Sequence, residues 1–296
     1  MKDRIRDMLF AAGAAAVGFA KAEPIADDSD AAYRSWLDSG RAASLDYLGR
    51  QADLRVSPES VLPGAKTVVS TAWNYLPPRL RDSQLPFVAR YAYGRDYHKA
   101  LRSLLRPVCR EIEERFCMTT RICVASAPVA ERYWAVKSGV GFIGKNGMLI
   151  VPGIGSWVLL CEILLTGELP LDNPCELSCL GCGACVKACP TGALAPDGRV
   201  DCRKCLSAIT IEGVGKNSAY SGRMPLLGCD HCQEVCPHNK DAVPSEWLRL
   251  SDGILELDAQ QLRAMSEEEF RTRFAGTPFM RPGKERLLAN ISTDFD

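Results

Sequence analysis

Four cysteines follow one another at fixed intervals between residues 179 and 189, and a proline comes directly after the last. The string C-x2-C-x2-C-x3-C-P is the bacterial ferredoxin pattern for 4Fe-4S clusters, and its fourth cysteine ligates the other cluster in two-cluster proteins. Its two-residue gaps allow a tight loop to wrap three thiolates around one cube. Paired C-x2-C motifs also bind zinc, but zinc sites seldom carry this string. The spacing therefore predicts an iron–sulfur module.

A second, shorter run lies between residues 229 and 236 and lacks one ligand of the full pattern. It has the form C-x2-C-x3-C-P, and Cys202 and Cys205 lie between the two runs. Each cube takes four thiolates, and the last cysteine of a run crosses to the neighbouring cube. The spacing predicts one cluster on Cys179, Cys182, Cys185 and Cys236. It predicts a second cluster on Cys189, Cys229, Cys232 and either Cys205 or Cys202.

Fourteen cysteines in 296 residues could also mark a secreted disulfide protein. The N-terminus has basic residues before an apolar stretch, but Asp3 and Asp7 interrupt the basic part and Gly13 and Gly18 the apolar part. We therefore expect a native helix and then a short strand at 17–19. Cysteine spacings typical of metal sites fit a reducing cytoplasm. The cysteines expected to be buried thiols, not ligands, are Cys109, Cys117, Cys123, Cys161 and Cys175.

The charge and the composition exclude several classes of protein. Lysine plus arginine and aspartate plus glutamate both number 36, so the formal charge is zero. This balance excludes a histone-like binder and gives no general attraction to nucleic acid. Apolar residues make up 47% of the chain, which excludes a disordered chain. No apolar run reaches the ~18 residues of a membrane span, so a globular protein remains.

The composition changes along the chain and divides it into three parts. Residues 1–170 are predicted to form an α/β domain, 171–240 a ferredoxin-like module, and 241–296 a helical tail that packs on the core. In the tail, Ser266 and Glu269 predict a helix capping box. In the first part we predict helices at 31–48 and 97–116, and strands at 67–73, 121–126, 148–151 and 157–164.

Several motifs occur in the order known from one family. They are Leu54-Arg55, Leu62-Pro63-Gly64-Ala65-Lys66, the stretch from Arg90 to His98, Ser126-Ala127-Pro128-Val129, the stretch from Gly141 to Asn146, and both cysteine runs. On these motifs the chain, over roughly residues 5–240, resembles the epoxyqueuosine reductases. The resemblance implies an α/β cobalamin-binding domain, then a ferredoxin-like two-cluster module and a short helical tail, in a plan similar to the reductive dehalogenases. It implies reduction of the epoxide of epoxyqueuosine at the tRNA wobble position to queuosine.

The resemblance also implies roles for individual residues. It selects Cys205 over Cys202 as the intervening ligand, because Cys205-Leu206-Ser207 matches the family. Core packing is an equally good explanation for Leu149 and Leu160, and Asp230 could merely cap backbone amides. The positions implied to approach cobalamin are Arg55, Leu149, Ser156, Leu160, Ser207 and Asp230.

The histidines bear on the type of cobalamin chemistry. The signature Asp-x-His-x-x-Gly, used where a protein histidine ligates cobalt, is absent, and the only histidines are His98, His231 and His238. The last two flank cluster cysteines. We therefore expect cobalt without a histidine ligand, in a low-valent, nucleophilic state fed by the nearby cluster.

The chain departs from the family at the expected proton donor. The family has an aspartate immediately before Ser-Ala-Pro, and this chain has Ala125 there. Opening an epoxide requires a general acid within hydrogen-bond reach of its oxygen, and alanine donates no proton. Three explanations stay open: a substitution introduced to trap a complex, a replacement by another acid, or another substrate. The replacement candidates are Asp96, Tyr97 and His98, which could equally cap and pack the following helix.

Two alternatives to a tRNA-modifying enzyme remain. Ala125 favours a related cobalamin reductase with a small-molecule substrate, and the clusters alone would suit a non-catalytic electron carrier. Only a short tail follows the cysteines, although many family members continue into helical repeats. The expected partners are tRNA and an external electron donor such as a flavodoxin or ferredoxin, and the chain is expected to be a monomer. The tail residues that could contact tRNA phosphates are Arg271, Arg273, Arg281, Lys284 and Arg286.

Overall fold

The computed structural model describes residues 1–215, 220 and 222–291. A four-stranded antiparallel sheet forms the centre of its N-terminal part, in the order β1-β2-β6-β3. The strands are β1 (Ala16–Lys21), β2 (Thr67–Asn74), β3 (Thr120–Cys123) and β6 (Val158–Leu165). Between β3 and β6, a small hairpin pairs β4 (Phe142–Ile143) with β5 (Leu149–Ile150).

Helices cover both faces of this sheet. The helices of the N-terminal part are α1 (Lys2–Ala11), α2 (Asp27–Asp38), α3 (Asp46–Arg50), α4 (Ala52–Arg55), α5 (Tyr97–Phe116) and α6 (Glu131–Lys137). Alternate residues of β2 point to opposite sides. Val69 packs with α1 and α5, whereas Val68 packs with Trp134 of α6. This three-layer arrangement explains why β2 is buried at every position but its last.

Several predicted elements are confirmed. The helix at 97–116 has the predicted bounds, and Asp96 caps it by accepting a hydrogen bond from the amide of His98. The strands predicted at 67–73 and 157–164 lie within one residue of β2 and β6, and the strand predicted at 17–19 lies inside β1, which extends two residues further. The apolar stripe of α5 is less complete than its spacing predicts, because Leu104 is exposed.

Three predicted elements extend too far. The helix predicted at 31–48 ends at Asp38, because Gly40 and Ala43 have positive φ angles that no α-helix accommodates. The strand predicted at 121–126 ends at Cys123, since Ala125 has φ of +43° and turns the chain away from the sheet. At 148–151 only Leu149–Ile150 pair as a strand, and Val151 forms an isolated bridge.

Short helices carry the cysteine-rich segment, and a helical tail follows. The segment contains α7 (Ala184–Ala188), α8 (Leu206–Glu212) and α9 (His231–Glu234), with α7 packed on α9. The tail contains α10 (Asp252–Leu255), α11 (Ala259–Ala264), α12 (Glu267–Phe274) and α13 (Gly283–Ile291). Its apolar residues form a core of their own with Val88 and Leu227. The predicted capping box at Ser266 and Glu269 is confirmed, with both reciprocal hydrogen bonds present.

No helix among the described residues combines the length and the apolar composition needed to cross a membrane.

Candidate functional site

One cavity brings four of the run cysteines together. It is lined by Cys179, Cys182, Cys185 and Cys236, which come from the loop before α7, from α7 and from the chain after α9. The turn of the β4–β5 hairpin lies over it, and the amide of Lys145 donates a hydrogen bond to Cys179 Sγ at 3.4 Å. The Nε2 atom of His238, beside this cavity, is buried without a hydrogen-bond partner among the described residues. A cluster in this cavity would have an amide donor and an imidazole beside its sulfurs.

The loop before α7 depends on two glycines. Gly181 and Gly183 both have positive φ angles, near +67° and +71°, and a Cβ atom at either position would meet no other atom. The glycines are therefore required by the left-handed backbone of this loop and not by crowding. The loop places Cys179, Cys182 and Cys185 on one side of the cavity.

The other thiols form a second group. Burial raises the pKa of Cys232, and the thiols of Cys229, Cys205 and Cys189 raise it further. Burial likewise raises the pKa of Cys229 to about 12, with contributions from Cys205 and Cys189. Among the described thiols, only Cys205 acts on Cys202, whose other charged neighbours are Asp201 and Arg132. Among the described residues, no three His, Cys, Asp or Glu side chains are arranged to hold a single metal ion.

The remaining cysteines are mostly core residues. Cys109, Cys123 and Cys161 are buried in and beside the sheet, and Cys175 is half-buried. Cys117 is exposed, so the expectation of a buried thiol is wrong there. It follows the last residue of α5 in a left-handed conformation, which turns the residue out of the core.

The six residues expected to approach cobalamin differ in how free their side chains are. Three are buried and held by protein contacts: Leu149 in an apolar cluster, Ser156 bonded to Gln233 and Asn239, and Asp230 accepting from the amide of Arg90 at 2.8 Å. Asp230 thus does cap a backbone amide, although one from a distant segment. Arg55, Leu160 and Ser207 are half-buried. Arg55 Nη1 donates to the carbonyl of Val129 at 3.0 Å, and its buried Nε has no partner among the described residues.

The three candidate acids lie at the start of α5. Asp96 accepts hydrogen bonds from both the amide and Nδ1 of His98, at 2.9 and 2.8 Å. The bond from His98 lowers the pKa of Asp96, so this carboxyl is ionised. Tyr97 stacks on His98 with ring centroids 4.1 Å apart, and burial raises its pKa.

The loop that holds Ala125 contacts a residue that the sequence analysis did not single out. The amide of Ala125 donates to Glu131 Oε1 at 2.5 Å, and Glu131 begins α6. Burial raises the pKa of Glu131. The one available signal was its position six residues after Ala125, directly behind the Ser-Ala-Pro-Val motif.

A basic groove opens on the other side of the same loop. It has a volume of about 600 Å³ and includes Ser126, Ala127 and Pro128 in its wall. Arg102 Nη2 donates to Ser126 Oγ at 3.1 Å. The single acidic residue of the wall, Glu113, is bonded to Thr120. The groove contains four arginines, none of which forms a salt bridge within the described part of the chain: Arg102, Arg106, Arg110 and Arg121.

Residues 36–47 lie close to the cysteine-rich segment. Trp36 Nε1 donates to the carbonyl of Val200 at 2.8 Å, and the amide of Cys202 donates to the carbonyl of Arg41 at 2.8 Å. Burial raises the pKa of Tyr47, whose charged neighbours include both Arg55 and Cys202. Residues 36–47 therefore connect the region of Arg55 with the second thiol group.

Two family models match the chain. One, described as epoxyqueuosine reductase QueG, DUF1730, matches residues 55–126. The other, described as a 4Fe-4S double cluster binding domain, matches residues 178–239. The second match contains both thiol groups, and it supports iron–sulfur clusters over zinc.

Curated relatives and solved structures cover most of the chain. The epoxyqueuosine reductase of Aliivibrio fischeri is 35% identical over 277 residues, covering 89% of this chain and 74% of that protein. That of Escherichia coli is 36% identical over 285 residues, covering 90% and 73%. A crystal structure of epoxyqueuosine reductase with an epoxyqueuosine-modified tRNA-Tyr stem loop matches with a TM-score of 0.89 at 28% identity, over 98% of this chain and 79% of that one. The reductase of Streptococcus thermophilus matches with a TM-score of 0.89 at 26% identity, over 98% and 80%.

Proposed function

Because the chain belongs to the epoxyqueuosine reductase family, we propose that it reduces the epoxide of epoxyqueuosine in tRNA to give queuosine. The substrate takes up two electrons and two protons. Both carbon–oxygen bonds of the epoxide break, a carbon–carbon double bond forms, and the oxygen leaves as water. The chain is an iron–sulfur oxidoreductase, and an external flavodoxin or ferredoxin is the proposed electron donor.

One observation carries this function: two groups of four thiols lie beside the domain that holds the Ala125 loop. We assign the first cluster to Cys179, Cys182, Cys185 and Cys236, which line one cavity. We assign the second to Cys189, Cys205, Cys229 and Cys232, whose thiols act on one another electrostatically. Single electrons can then pass through the module toward the substrate.

Cobalamin is the proposed cofactor between the clusters and the substrate. Arg55 fits it, because a buried N–H without a partner is expected where a ligand supplies the acceptor. Ser207 and Leu160 are half-buried and available for contact. Leu149, Ser156 and Asp230 are held by the protein, so their approach to the cofactor stays a prediction. When bound, cobalamin supplies low-valent cobalt that can deliver electrons to the epoxide.

The basic groove supports a tRNA substrate over a free small molecule. Arg102, Arg106 and Arg110 are spaced four residues apart and therefore share one face of α5. Like charges at this spacing destabilise a helix, and a bound polyanion would remove the repulsion. The tail arginines are less available, since Arg271 pairs with Glu267 and Arg281 with Glu212. We assign the groove to tRNA phosphates next to the active-site loop.

The test is single-turnover conversion by the anaerobically reconstituted protein, with the nucleoside products identified by mass spectrometry. We expect queuosine from epoxyqueuosine-modified tRNA and little from the free epoxyqueuosine nucleoside. Equal conversion of both would favour a small-molecule reductase. No conversion, with both clusters and cobalamin present, would exclude the proposed reaction.

The proposal extends to the location and the assembly state of the protein. We infer a cytoplasmic location, because cluster cysteines must remain reduced. A monomer remains a prediction.

A further inference from the structure

Position 125 lacks a side chain that can donate a proton, but a carboxyl group is held beside its backbone. Glu131 Oε1 accepts the amide hydrogen of Ala125 at 2.5 Å, and Glu131 forms no salt bridge among the described residues. Glu131 as a whole residue is half-buried, and burial raises the pKa of its carboxyl group. An aspartate at 125 would start from the same backbone that Glu131 now contacts.

The loop around Ala125 is held in a defined shape. Its φ of +43° is a conformation that costs a non-glycine residue free energy and persists only where neighbours fix it. Two neighbours do so. Glu131 binds the amide of Ala125, and Arg55 Nη1 binds the carbonyl of Val129. Arg55 is also the residue with the unpartnered Nε that fits the cofactor. Glu131 therefore contacts the loop that lies between the expected cofactor site and the basic groove.

The surroundings keep Glu131 protonated. Burial raises its pKa, and the bond from Ala125 and the charges of Arg132, Arg55 and His98 only partly oppose this. Glu162 lies behind it in β6, fully buried, with both carboxyl oxygens lacking a partner among the described residues. Burial, and then the charge of Glu131, raise the pKa of Glu162 well above its ordinary value. The other titratable groups that Glu131 influences are Tyr97 of α5, Cys123 of β3 and Cys161 of β6.

We propose that Glu131 is the general acid of this enzyme and donates a proton to the epoxide oxygen in place of the aspartate that Ala125 replaces. The proposal rests on the proposed function. Oε1 accepts the Ala125 amide hydrogen, which leaves Oε2 to carry the proton. Donation leaves a carboxylate, water reprotonates it, and the same group delivers the second proton as the oxygen departs as water. The two electrons come from the external donor through the clusters.

The three residues predicted from the sequence are poorer donors. Asp96 is ionised because His98 lowers its pKa. His98 Nδ1 is committed to Asp96. Tyr97 has a pKa raised by burial and packs against both Tyr91 and His98. We therefore assign these residues to capping and packing of α5, next to the acid and not in its place.

The test compares single-turnover rates of the wild type, Glu131→Gln, and Glu131→Gln combined with Ala125→Asp, with clusters and cobalamin loaded and tRNA saturating. Glutamine keeps an acceptor for the Ala125 amide but has no acidic proton. We expect Glu131→Gln to lower the rate about 10²- to 10⁴-fold, the usual contribution of a general acid. The added aspartate should restore much of it. Glu111→Gln, which removes a surface carboxylate paired with Arg115, is the control and should leave the rate unchanged.

The pH profile separates a proton donor from a structural residue. The wild-type rate should fall as the pH rises through the raised pKa of Glu131, because only the protonated form donates. Glu131→Gln should lose this limb, and infrared spectroscopy should lose one protonated-carboxyl band. A wild-type rate and an unchanged pH profile in Glu131→Gln would overturn the proposal.

Two further outcomes are decisive. If Glu131→Gln does not retain its clusters, Glu131→Asp replaces it. That variant keeps a carboxyl group with a different reach and pKa. A shift in the pH at which the rate falls supports the proposal, and no shift contradicts it. If the wild type converts no epoxyqueuosine-tRNA, both the proposed function and the proposed proton donor are wrong. If the wild type and Glu131→Gln are equally active, only the role of Glu131 as the general acid is wrong.

Discussion

Two carboxyl groups stand out at the level of single residues, because both lie where charge is costly. Glu162 is opposite Ser70 in β2, and the hydroxyl of Ser70 also lacks a hydrogen-bond partner among the described residues. A buried carboxyl without a partner favours its neutral form. Glu131 has a bond to Ala125 and partial exposure, so it can release and regain its proton. The difference in exposure is the reason we assign catalysis to Glu131 and not to Glu162.

Glu162 should make the stability of the fold depend on pH. Its folded-state pKa is raised, so above the unfolded value of about 4.3 unfolding releases a proton, and the free energy of unfolding falls as the pH rises. We expect Glu162→Gln to be more stable than the wild type at neutral and alkaline pH, by about 1.4 kcal/mol for each unit of raised pKa. The advantage should vanish at acidic pH. Thermal unfolding across pH measures this, with the exposed Glu168→Gln as control, and a constant difference at all pH values would contradict it.

Helix α5 combines two roles at the scale of secondary structure. Its buried face, with Leu101, Leu105 and Ile112, packs on the sheet, and its other face carries three of the four groove arginines. Elsewhere on the helix, Arg115 pairs with Glu111 at 3.4 Å. Arg102, Arg106 and Arg110 form no salt bridge within the described part of the chain. This segregation within one helix is the pattern expected of a surface that meets a polyanion.

The groove arginines should control the salt dependence of tRNA binding. We expect Arg106→Gln with Arg110→Gln to weaken binding and to reduce the slope of log K against log salt by roughly 0.7 to 0.9 for each lost phosphate contact. The matched control is Arg4→Gln with Arg115→Gln, which removes two arginines that both pair with Glu111. Filter binding over a salt series measures both variants. Equal salt slopes for the two variants would show that the groove arginines do not contact tRNA phosphates.

The capping box of α12 is a second test at this scale. Ser266 Oγ accepts from the amide of Glu269 at 3.1 Å, and the helix carries Phe270 and Phe274 into the tail core. We expect Ser266→Ala to lower the free energy of unfolding by about 1 kcal/mol, the usual loss for such a cap. Denaturant unfolding of the holoprotein measures this. Thr272→Ala, in the same helix but outside the cap, should have a smaller effect.

The whole molecule depends on thiols that come from distant parts of the chain. Cys236 follows α9, yet it lines the same cavity as the cysteines of the loop before α7. Cys205 precedes α8, yet its thiol interacts electrostatically with that of Cys229, as does the thiol of Cys189. The hairpin turn at Asn146 joins the two groups, since its Nδ2 donates to the carbonyl of Cys232 at 3.3 Å. Cluster binding and folding of the module are therefore expected to be coupled.

Substituting single cysteines should distinguish cluster ligands from cysteines that bind no cluster. We expect Cys236→Ser and Cys205→Ser each to lose iron and visible absorbance and to melt at lower temperature. Cys202→Ser should keep both clusters, because Cys205 is the one thiol among the described residues that acts on Cys202. Iron analysis and absorbance spectra of the anaerobic proteins decide this. Full iron in Cys205→Ser together with a loss in Cys202→Ser would reverse our assignment of the second cluster.

The sequence by itself determined the features that depend on local spacing. The cysteine intervals predicted a two-cluster module, and the family match at 178–239 agrees with it. Apolar periodicity predicted α5 with its observed bounds, because one face of a long helix repeats regularly. The motifs identified the family, and Ala125, where the resemblance implies an aspartate, was visible in the sequence.

Only the tertiary structure decided what depends on contacts between distant residues. Spacing could not distinguish Cys202 from Cys205, because both lie between the runs, and the resemblance selected Cys205. In space, Cys205 is the one of the two that acts on Cys229 and Cys232, and its role as a ligand stays a prediction. The helix predicted at 31–48 broke where Gly40 and Ala43 have positive φ angles, which composition does not reveal. Glu131 looked like an ordinary first-turn glutamate. Its role emerged from a bond to the Ala125 amide and from burial, and both arise only when the loop folds back onto α6.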